Sequence, residues 1–323
     1  MLERPRRLRR NRALRDLVHE TSLNLSQLVQ PFFLSESPEA KEPIPGFTNV
    51  FRWGAESLSR QMESQLDTGI RSFLLFGSTT KKDEIGSGAY EEQGVLPQTL
   101  RVLKRRFGDK ALFFTDVCLC PFTSHGHCGV LEEGHILNDE SFEPLSRMAV
   151  VHAEAGADVV APSDMMDGRI GVIRRALDDK GYLNTGILAY SAKYASAYYG
   201  PFREALGSAP KGDRATYQMD FRNTKDAERE LRLDISEGAD IVMVKPALSY
   251  LDIIAKFRQI SDVPIAAYSV SGEYEMVKRL AACGMADERK LAMENLTAIR
   301  RAGAQIIVTY FAGEIAEKGW LRE

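Results

Sequence analysis

GADIVMVKP, residues 238–246, is the stretch that decides the fold of this chain of 323 residues. It combines a glycine suited to ending a helix, a short apolar run suited to a buried strand, and a lysine directly after that run. Similar joints recur at residues 156–160 (GADVV) and 303–307 (GAQII). A repeated joint from helix through glycine to strand is typical of an array in which helices and strands alternate.

Eight short apolar runs occur along the chain. They lie at residues 27–34, 72–77, 111–119, 157–163, 185–191, 239–246, 264–271 and 305–311. Most are apolar almost throughout, as expected for parallel strands buried on both faces, and amphipathic helical segments separate them. The pattern predicts an α/β fold, a closed (β/α)8 TIM barrel. An open doubly wound sheet is the alternative, but no Gly-x-Gly-x-x-Gly motif follows the first run.

Residues 1–26 precede the barrel, which is predicted at residues 27–323, and form an extended N-terminal arm with helical potential at residues 12–20. Seven arginines crowd this arm between positions 4 and 15. The net charge of −3 and the pI near 6.1 predict no general affinity for nucleic acid. Because no aromatic side chains interleave the arginines, we expect the arm to make oligomer contacts, with nucleic-acid binding as the alternative.

The chain contains no membrane or export signal that we can recognise. No apolar run reaches the roughly 18 residues of a membrane span, and the N-terminus lacks the apolar core of a secretory signal. Acidic residues at positions 3, 16 and 20 argue against a transit peptide. We therefore expect no membrane partner and a cytoplasmic location.

Polar and ionisable side chains gather where the predicted strands end. In a barrel of this type the active site lies at the carboxyl ends of the strands. Random placement would scatter such residues along the chain, so their concentration at one rim predicts an active site there. The rim residues, in strand order, are Asp116, Cys118, Cys120, Ser163, Asp164, Ser191, Lys193, Lys245, Tyr268, Ser269, Ser271 and Tyr310.

Two lysines at this rim predict carbonyl chemistry. Lys245 follows a run of four apolar residues, so its amine is expected in a poorly solvated pocket, where desolvation lowers the pKa of an amine. A neutral amine attacks a ketone to form an imine. Lys193 ends the preceding strand, about 4.8 Å away, and two ammonium groups so close disfavour each other's charged form. The alternative is that Lys245 extends along the strand end to solvent.

Three cysteines form a candidate metal site with the pattern C-x-C-x7-C. Cys118, Cys120 and Cys128 can surround one zinc ion and leave its fourth position open, as in a catalytic site. His125 or His127 as a fourth ligand would make the site structural, and three buried free thiols are the remaining alternative. The fourth cysteine, at position 283, lies in a helical stretch and is expected in the core.

The segment between residues 194 and 218, called the lid below, is long and rich in glycine. It follows Lys193 directly, so it can fold over the barrel mouth and exclude water. Arg203 and Arg214 on the lid can bind a carboxylate through paired hydrogen bonds. The alternative is that both arginines face solvent.

Several stretches together resemble the porphobilinogen synthase (5-aminolevulinate dehydratase) family. They run from the third strand to the last, and the combination is far more specific than any one of them. The matching stretches are residues 116–129 (DVCLCPFTSHGHCG), 161–168 (APSDMMDG), 190–203 (YSAKYASAYYGPFR), 243–247 (MVKPA), 268–274 (YSVSGEY) and the surroundings of Tyr310.

The resemblance implies a hydro-lyase that joins two molecules of 5-aminolevulinate into porphobilinogen, with loss of two waters, in tetrapyrrole (haem) biosynthesis. It implies that Lys245 forms a Schiff base with the first substrate and Lys193 with the second, while Asp116 steers the second amine or moves protons. The remaining implied contacts are Arg203, Arg214 and Gln218 with the second carboxylate, Ser271 and Tyr310 with the first, Phe202 and Tyr268 with the bound imine, and Ser163 and Asp164 with Lys193.

The same resemblance implies two metals and an assembly. The three cysteines match the zinc-dependent branch, in which zinc touches the second substrate and acts as a Lewis acid or a source of hydroxide. Glu230 stands at the spacing of the allosteric magnesium ligand of many bacterial members, although its surroundings also suit a plain charged helix face. A homo-octamer built from dimers with embracing arms is implied as well.

Two other functions stay open at this point. Another Schiff-base aldolase of the same fold would explain the barrel and one lysine, but it would leave Lys193 and the three cysteines without a role. A non-enzymatic zinc-binding assembly protein that uses its basic arm would explain the cysteines. It would not explain the polar side chains gathered at the strand ends.

Overall fold

The computed structural model of the chain describes residues 3–210 and 212–321. Eight parallel strands form a closed ring in which each strand pairs with the next and the last pairs with the first. The closing pair aligns Leu28 with Ile307, which excludes the open doubly wound sheet and confirms the predicted barrel. The barrel strands are β1 (Leu28–Leu34), β4 (Ser72–Phe76), β5 (Leu112–Val117), β8 (Val159–Pro162), β9 (Gly186–Lys193), β10 (Ile241–Lys245), β11 (Ile265–Ser269) and β12 (Ile306–Thr309).

The barrel strands are apolar because both of their faces are covered. Every residue of β1 is buried, and so is every residue of β9 after its first. Side chains alternate between the two faces of a strand, so one set fills the interior of the barrel and the other packs under the helices. This double burial explains why the strand runs lack the alternation of polar and apolar residues found in half-exposed strands.

Helices connect the strands and cover the barrel. Several end at a glycine in the left-handed region, as predicted; Gly238, which follows one of them, has φ of +106°. The helices are α1 (Arg12–Val18), α2 (Ala55–Thr68), α3 (Val95–Phe107), α4 (Phe142–Glu154), α5 (Arg169–Asp179), α6 (Gly200–Leu206), α7 (Lys225–Ser236), α8 (Leu251–Ile260), α9 (Ser271–Ala282), α10 (Glu288–Ala302) and α11 (Ala312–Glu317).

Four short strands outside the ring were not predicted. The strands β2 (Lys41–Pro43) and β3 (Phe51–Trp53) pair with each other and extend the sheet beside β1. The strands β6 (Val130–Glu132) and β7 (His135–Leu137) form a hairpin after the cysteine segment. Three residues are too few to show a hydrophobic period, which is why these strands leave no clear signal in the sequence.

The arm contacts the barrel core through Leu23 and Leu25 near its end, whereas its helix carries no buried residue. Its helix α1 begins after Asn11, whose side chain accepts a hydrogen bond from the backbone of Leu14, and no residue of α1 is buried. Leu17 on this helix is 79% exposed. Residues 1 and 2 of the predicted arm, and residues 322 and 323 of the predicted barrel, lie outside the described residues. Within the described part of the chain, no helix has the length and apolar composition needed to cross a membrane.

The expectation that Cys283 belongs to the core is wrong. The residue caps the carboxyl end of α9 and its side chain is exposed. A helix buries only one stripe of its surface, and Cys283, one residue past the end of α9, falls outside that stripe.

Candidate active site

The two lysines end neighbouring strands at the same rim of the barrel. Lys193 is the last residue of β9 and Lys245 the last of β10, and the register of the two strands aligns them with each other. Carboxyl ends of parallel strands share one edge of the sheet, so the register brings both amines to the barrel mouth. The structure therefore brings together the two residues on which the predicted chemistry depends.

Lys245 does not extend to solvent, because only 3% of its surface is exposed. Its Nζ atom lies 4.4 Å from the ring centre of Tyr268 and 4.6 Å from that of Phe202, the two residues expected to pack on a bound imine. Burial and, next, the charge of Lys193 together lower the pKa of Lys245 to about 7, against the opposing charge of Asp116. A large fraction of Lys245 is therefore a neutral nucleophile near neutral pH.

Lys193, Ser163 and Asp116 form a connected polar group beside Lys245. The buried Lys193 amine donates a hydrogen bond to the backbone carbonyl of Ser163, and the Ser163 hydroxyl donates to the Asp116 carboxylate. Burial raises the pKa of Asp116, while the positive charges of Lys193 and Lys245 oppose that rise. A carboxylate placed between two amines in this way can accept and return protons.

Asp164 differs from its prediction as a hydrogen-bond partner of Lys193. Its carboxylate accepts from the backbone N–H of Met166 at 2.8 Å and lies 3.6 Å from Nε of the buried Arg169. Arg169 also holds Asp234 of α7, at 3.0 Å. Successive side chains at a strand end point to opposite sides, so Ser163 faces the lysines while Asp164 faces the surrounding helices.

The three predicted metal ligands come together at the end of β5. The Sγ atoms of Cys118, Cys120 and Cys128 lie within 4.8 Å of one another and all three residues are buried. Among the described residues this is the only such group, and it contains no histidine. His125 instead contacts the carbonyl of Glu84 at 3.0 Å. The arrangement therefore favours three thiol ligands over a closed site with a fourth protein ligand.

The chemistry of this donor set suits zinc. Hydrogen bonds from the Cys118 and Cys120 thiols lower the pKa of Cys128, whereas burial raises the pKa of Cys118. Soft thiolates bind zinc through tetrahedral sites, and three of them leave one position for water or a ligand. The cysteines would thus hold an ion beside the lysines.

The lid covers the mouth through a helix that was not predicted, α6. The backbone N–H of Phe202 donates to the Ser271 hydroxyl at 3.2 Å. From the barrel side, Arg52 donates to the carbonyl of Ala205 at 2.9 Å, and Lys82 to that of Gly207 at 2.6 Å. These contacts hold the described part of the lid closed over Lys245.

Several polar atoms on the lid are buried and have no hydrogen-bond partner among the residues that the structure describes. They are Nε of Arg203 and Arg214, Oγ of Ser208, and both amide atoms of Gln218. Most buried polar groups in proteins are hydrogen-bonded, so such a concentration marks a place for a polar ligand. Arg214 is buried and donates to the carbonyls of Gly126 and Ser208, so it does not face solvent. Sequence reasoning found Arg203, Arg214 and Gln218, but it missed Ser208.

A second polar group lies near Lys245, around Tyr268, Tyr310 and Ser271. The hydroxyls of Tyr268 and Tyr310 lie 3.0 Å apart, and Ser271 donates to the carbonyl of Tyr198 at 3.1 Å. Tyr190 was missed as a site residue: its ring centre lies 5.1 Å from the Lys245 Nζ, and its buried hydroxyl has no hydrogen-bond partner within residues 3–210 and 212–321. A tyrosine among small and aliphatic strand residues was the one signal that the sequence offered for it.

Glu230 lies apart from this site. It is half-buried on α7 and lines a cavity of about 1090 Å³ with Asp167, Asp226 and Arg229. Burial and the neighbouring Asp234 raise the pKa of Glu230 to about 7, against the opposing charge of Arg169. The structure thus places this carboxylate in an acidic cavity outside the barrel mouth.

The fold and the site define a (β/α)8-barrel enzyme whose functional groups stand at the carboxyl ends of the strands. The delta-aminolevulinic acid dehydratase family model matches residues 2–318. The chain belongs to this family of lyases, as the motifs predicted.

Named relatives and a solved structure agree with this assignment. The delta-aminolevulinic acid dehydratase of Archaeoglobus fulgidus is 49% identical over 316 residues, which cover 98% of this chain and 97% of the relative. That of Escherichia coli (strain K12) is 47% identical over 322 residues, covering 100% and 99%. A crystal structure of the Toxoplasma gondii ME49 enzyme contains the reaction product porphobilinogen. Its sequence is 45% identical to this chain, the alignment covers 98% of this chain and 92% of the Toxoplasma gondii chain, and the TM-score is 0.95.

Lys245 should react with a trace of acetic anhydride with a midpoint near pH 7, because only its neutral amine is nucleophilic and that form appears as the pH rises through the pKa. Lys193→Met should move this midpoint upward, since it removes a neighbouring positive charge. The measurement is peptide mass spectrometry of the labelled protein across pH, with the exposed Lys110 as reference. A Lys245 midpoint near the ordinary lysine value of about 10.4 would contradict the assignment.

Proposed function

We propose that this enzyme condenses two molecules of 5-aminolevulinate into one porphobilinogen, with release of two waters, in tetrapyrrole (haem) biosynthesis. The observation that carries the proposal is the pair of buried amines at one mouth, together with two sets of polar groups, one on the lid and one at Tyr268 and Tyr310. Two amines suit two ketone substrates, and two polar sets suit two carboxylates. The product bound to the Toxoplasma gondii relative supports the same reaction.

In the proposed first step, the neutral amine of Lys245 attacks the ketone carbon of one substrate. A carbon–nitrogen double bond forms and the ketone oxygen leaves as water. Phe202 and Tyr268 flank the amine at 4.6 and 4.4 Å, so they exclude water that would hydrolyse the imine. Ser271 and Tyr310 bind the carboxylate of this substrate.

Lys193 forms the corresponding imine with the second substrate. The unpartnered atoms of Arg203, Arg214 and Gln218 bind its carboxylate, and the Ser208 hydroxyl is a further donor at the same place. Asp116 orients the second amino group and carries protons between the reacting atoms, because it accepts a hydrogen bond from Ser163 and interacts with the charges of both lysines.

Zinc completes the proposed site. Cys118, Cys120 and Cys128 hold the ion, since their sulfur atoms already lie together and are buried beside the second substrate's position. When bound, it polarises a substrate oxygen or supplies hydroxide at neutral pH. A cytoplasmic location and the absence of nucleic-acid partners stay predictions from the sequence.

Purified protein should convert 5-aminolevulinate into porphobilinogen, and a zinc chelator should abolish this conversion reversibly. Lys245→Met should lower kcat by about 10⁴-fold or more, because it removes the nucleophile. The colorimetric assay for porphobilinogen measures both effects, and Lys110→Met at an exposed position is the matched control. No product under any metal would refute the reaction, and product that ignores the chelator would refute the catalytic zinc.

We also propose that Glu230 binds an activating magnesium ion at the acidic cavity. A cation there would relieve the repulsion between Glu230 and Asp234. Magnesium prefers oxygen ligands and usually keeps several waters, so it needs few protein ligands.

Glu230→Gln should therefore remove any increase in activity caused by magnesium, and leave the rate without magnesium near that of the natural enzyme. The control is Glu228→Gln on the same helix, where the carboxylate pairs with Lys256 at 2.7 Å. Titration of activity with magnesium, with zinc held constant, measures the effect. An unchanged magnesium response in Glu230→Gln would contradict this role.

The arm is proposed to bind a neighbouring subunit within a homo-octamer. Its helix α1 exposes the neighbouring apolar side chains of Leu17 and Val18. Contact with another subunit would remove them from water. The arginines beside them suit an acidic partner surface.

Leu17→Asp should lower the mass of the assembly in solution, because it places a charge in the proposed interface. Leu183→Asp, at another exposed leucine outside the arm, should leave the mass unchanged. Multi-angle light scattering measures both. Identical masses for the two variants and the natural protein would argue against an interface at α1.

A further inference from the structure

One buried carboxylate near the mouth has no role in the reaction described above. Glu273 lies in the first turn of α9 and is only 2% exposed. Its Oε1 accepts from the backbone N–H of Ala247 at 3.1 Å and of Leu248 at 2.6 Å. Its Oε2 accepts from Val270 at 2.7 Å, and the Ser269 hydroxyl also bonds to the carboxylate. Four donors therefore converge on one side chain.

Two of these donors belong to the segment that carries Lys245. Pro246 has no N–H, so the first two amides after Lys245 are those of Ala247 and Leu248, and both donate to Glu273. The Lys245 carbonyl is held separately, by the backbone N–H of Tyr194 at 3.0 Å and by the Tyr199 hydroxyl. Glu273 thus holds the chain on the far side of the lysine, where the strand has ended and its pairing no longer restrains the backbone.

The other two donors belong to the end of β11. Ser269 closes that strand and Val270 directly precedes Ser271, which contacts the lid and is assigned to the first carboxylate. One side chain therefore joins the segment after Lys245 to the segment before Ser271. The two segments are more than 20 residues apart in the chain, and Glu273 spans them through both of its oxygens.

Burying the Glu273 carboxylate costs free energy, because the charged form loses its hydration. Burial raises the pKa of Glu273 to about 7, and the amides of Leu248, Val270 and Ala247 oppose the rise. The dipoles of these backbone N–H groups therefore compensate for part of the cost of burying the carboxylate. A buried carboxylate held by backbone N–H groups gives little net stability but restrains those groups strongly.

We propose that Glu273 is a positioning residue that sets the distance between Lys245 and Ser271. This proposal rests on the function proposed above, in which Lys245 takes the ketone and Ser271 the carboxylate of the first substrate, so the distance between the two residues must suit the separation of those two groups. The Lys245 amine must approach the ketone carbon within a narrow range while the carboxylate is bound, and a displacement of about 1 Å lowers such rates by about 100-fold. Glu273 acts through Lys245 and touches no reacting atom.

The test measures the rate constant for trapping 5-aminolevulinate on Lys245 with borohydride, followed by peptide mass spectrometry. Glu273→Gln keeps the shape but loses one acceptor oxygen, and we expect the rate constant to fall by about tenfold or more. The control is Glu275→Gln on the same helix. Its carboxylate is buried too and accepts from the backbone of Thr48 at 2.5 Å, away from the lysines. We expect this control to keep the trapping rate.

Ser269→Ala is a milder variant that removes only one of the four donors, with an expected decrease of about threefold. A rate constant does not depend on the amount of folded protein, so partial unfolding does not imitate the effect. If the natural enzyme forms no adduct at Lys245, the proposed function fails. If the natural enzyme forms the adduct and both Glu273→Gln and Ser269→Ala match Glu275→Gln, the positioning role of Glu273 is overturned.

Discussion

The alignment of Lys193 with Lys245 at the ends of two adjacent strands is the constraint on which the rest of this structure depends. Two amines in a site with little water disfavour their charged forms, because each loses hydration and each repels the other. Both amines lie at the carboxyl rim, where strand pairing ends and where neighbouring segments can supply hydrogen-bond and charge partners for them. Asp116 and the carbonyl of Ser163 provide those partners on one side of the lysines. Aromatic rings surround Lys245 on the other side.

The lid closes over the two lysines and leaves buried polar atoms that a bound ligand can satisfy. It closes the mouth and strengthens every electrostatic interaction inside it, since water is excluded. It also buries polar atoms of Arg214 and Gln218 that have no hydrogen-bond partner in the described part of the chain. An unmade hydrogen bond at a buried group costs about 1–3 kcal/mol, so a bound anion recovers energy that the closed lid has lost. Closure and binding are therefore coupled by the same side chains.

Buried charges behind the rim restrain the segments that carry the reacting groups. Arg169 draws Asp164 away from the lysines and ties it to Asp234 of α7, so the end of β8 is held from outside. Glu273 holds the ends of β10 and β11 from the far side. Strand pairing restrains the backbone within the barrel but not beyond the carboxyl ends of the strands. These carboxylates restrain the backbone there. The same helix α7 carries Glu230, which places the acidic cavity within one helix of the mouth.

The barrel, the two lysines at one rim, the group of three cysteines and a segment over the mouth could all be predicted from the sequence alone. These features depend on local composition. Apolar runs indicate strands that are buried on both faces, and the residues directly after such runs are expected at the carboxyl rim of the barrel. Only the tertiary structure decided that Asp164 faces Arg169, that Ser208 completes the lid, and that Glu273 joins two strand ends. The tertiary structure also shows that Cys283 is exposed and does not lie in the core. Each of these depends on contacts between residues far apart in the chain, which the packing of helices around the barrel sets and which no local period records.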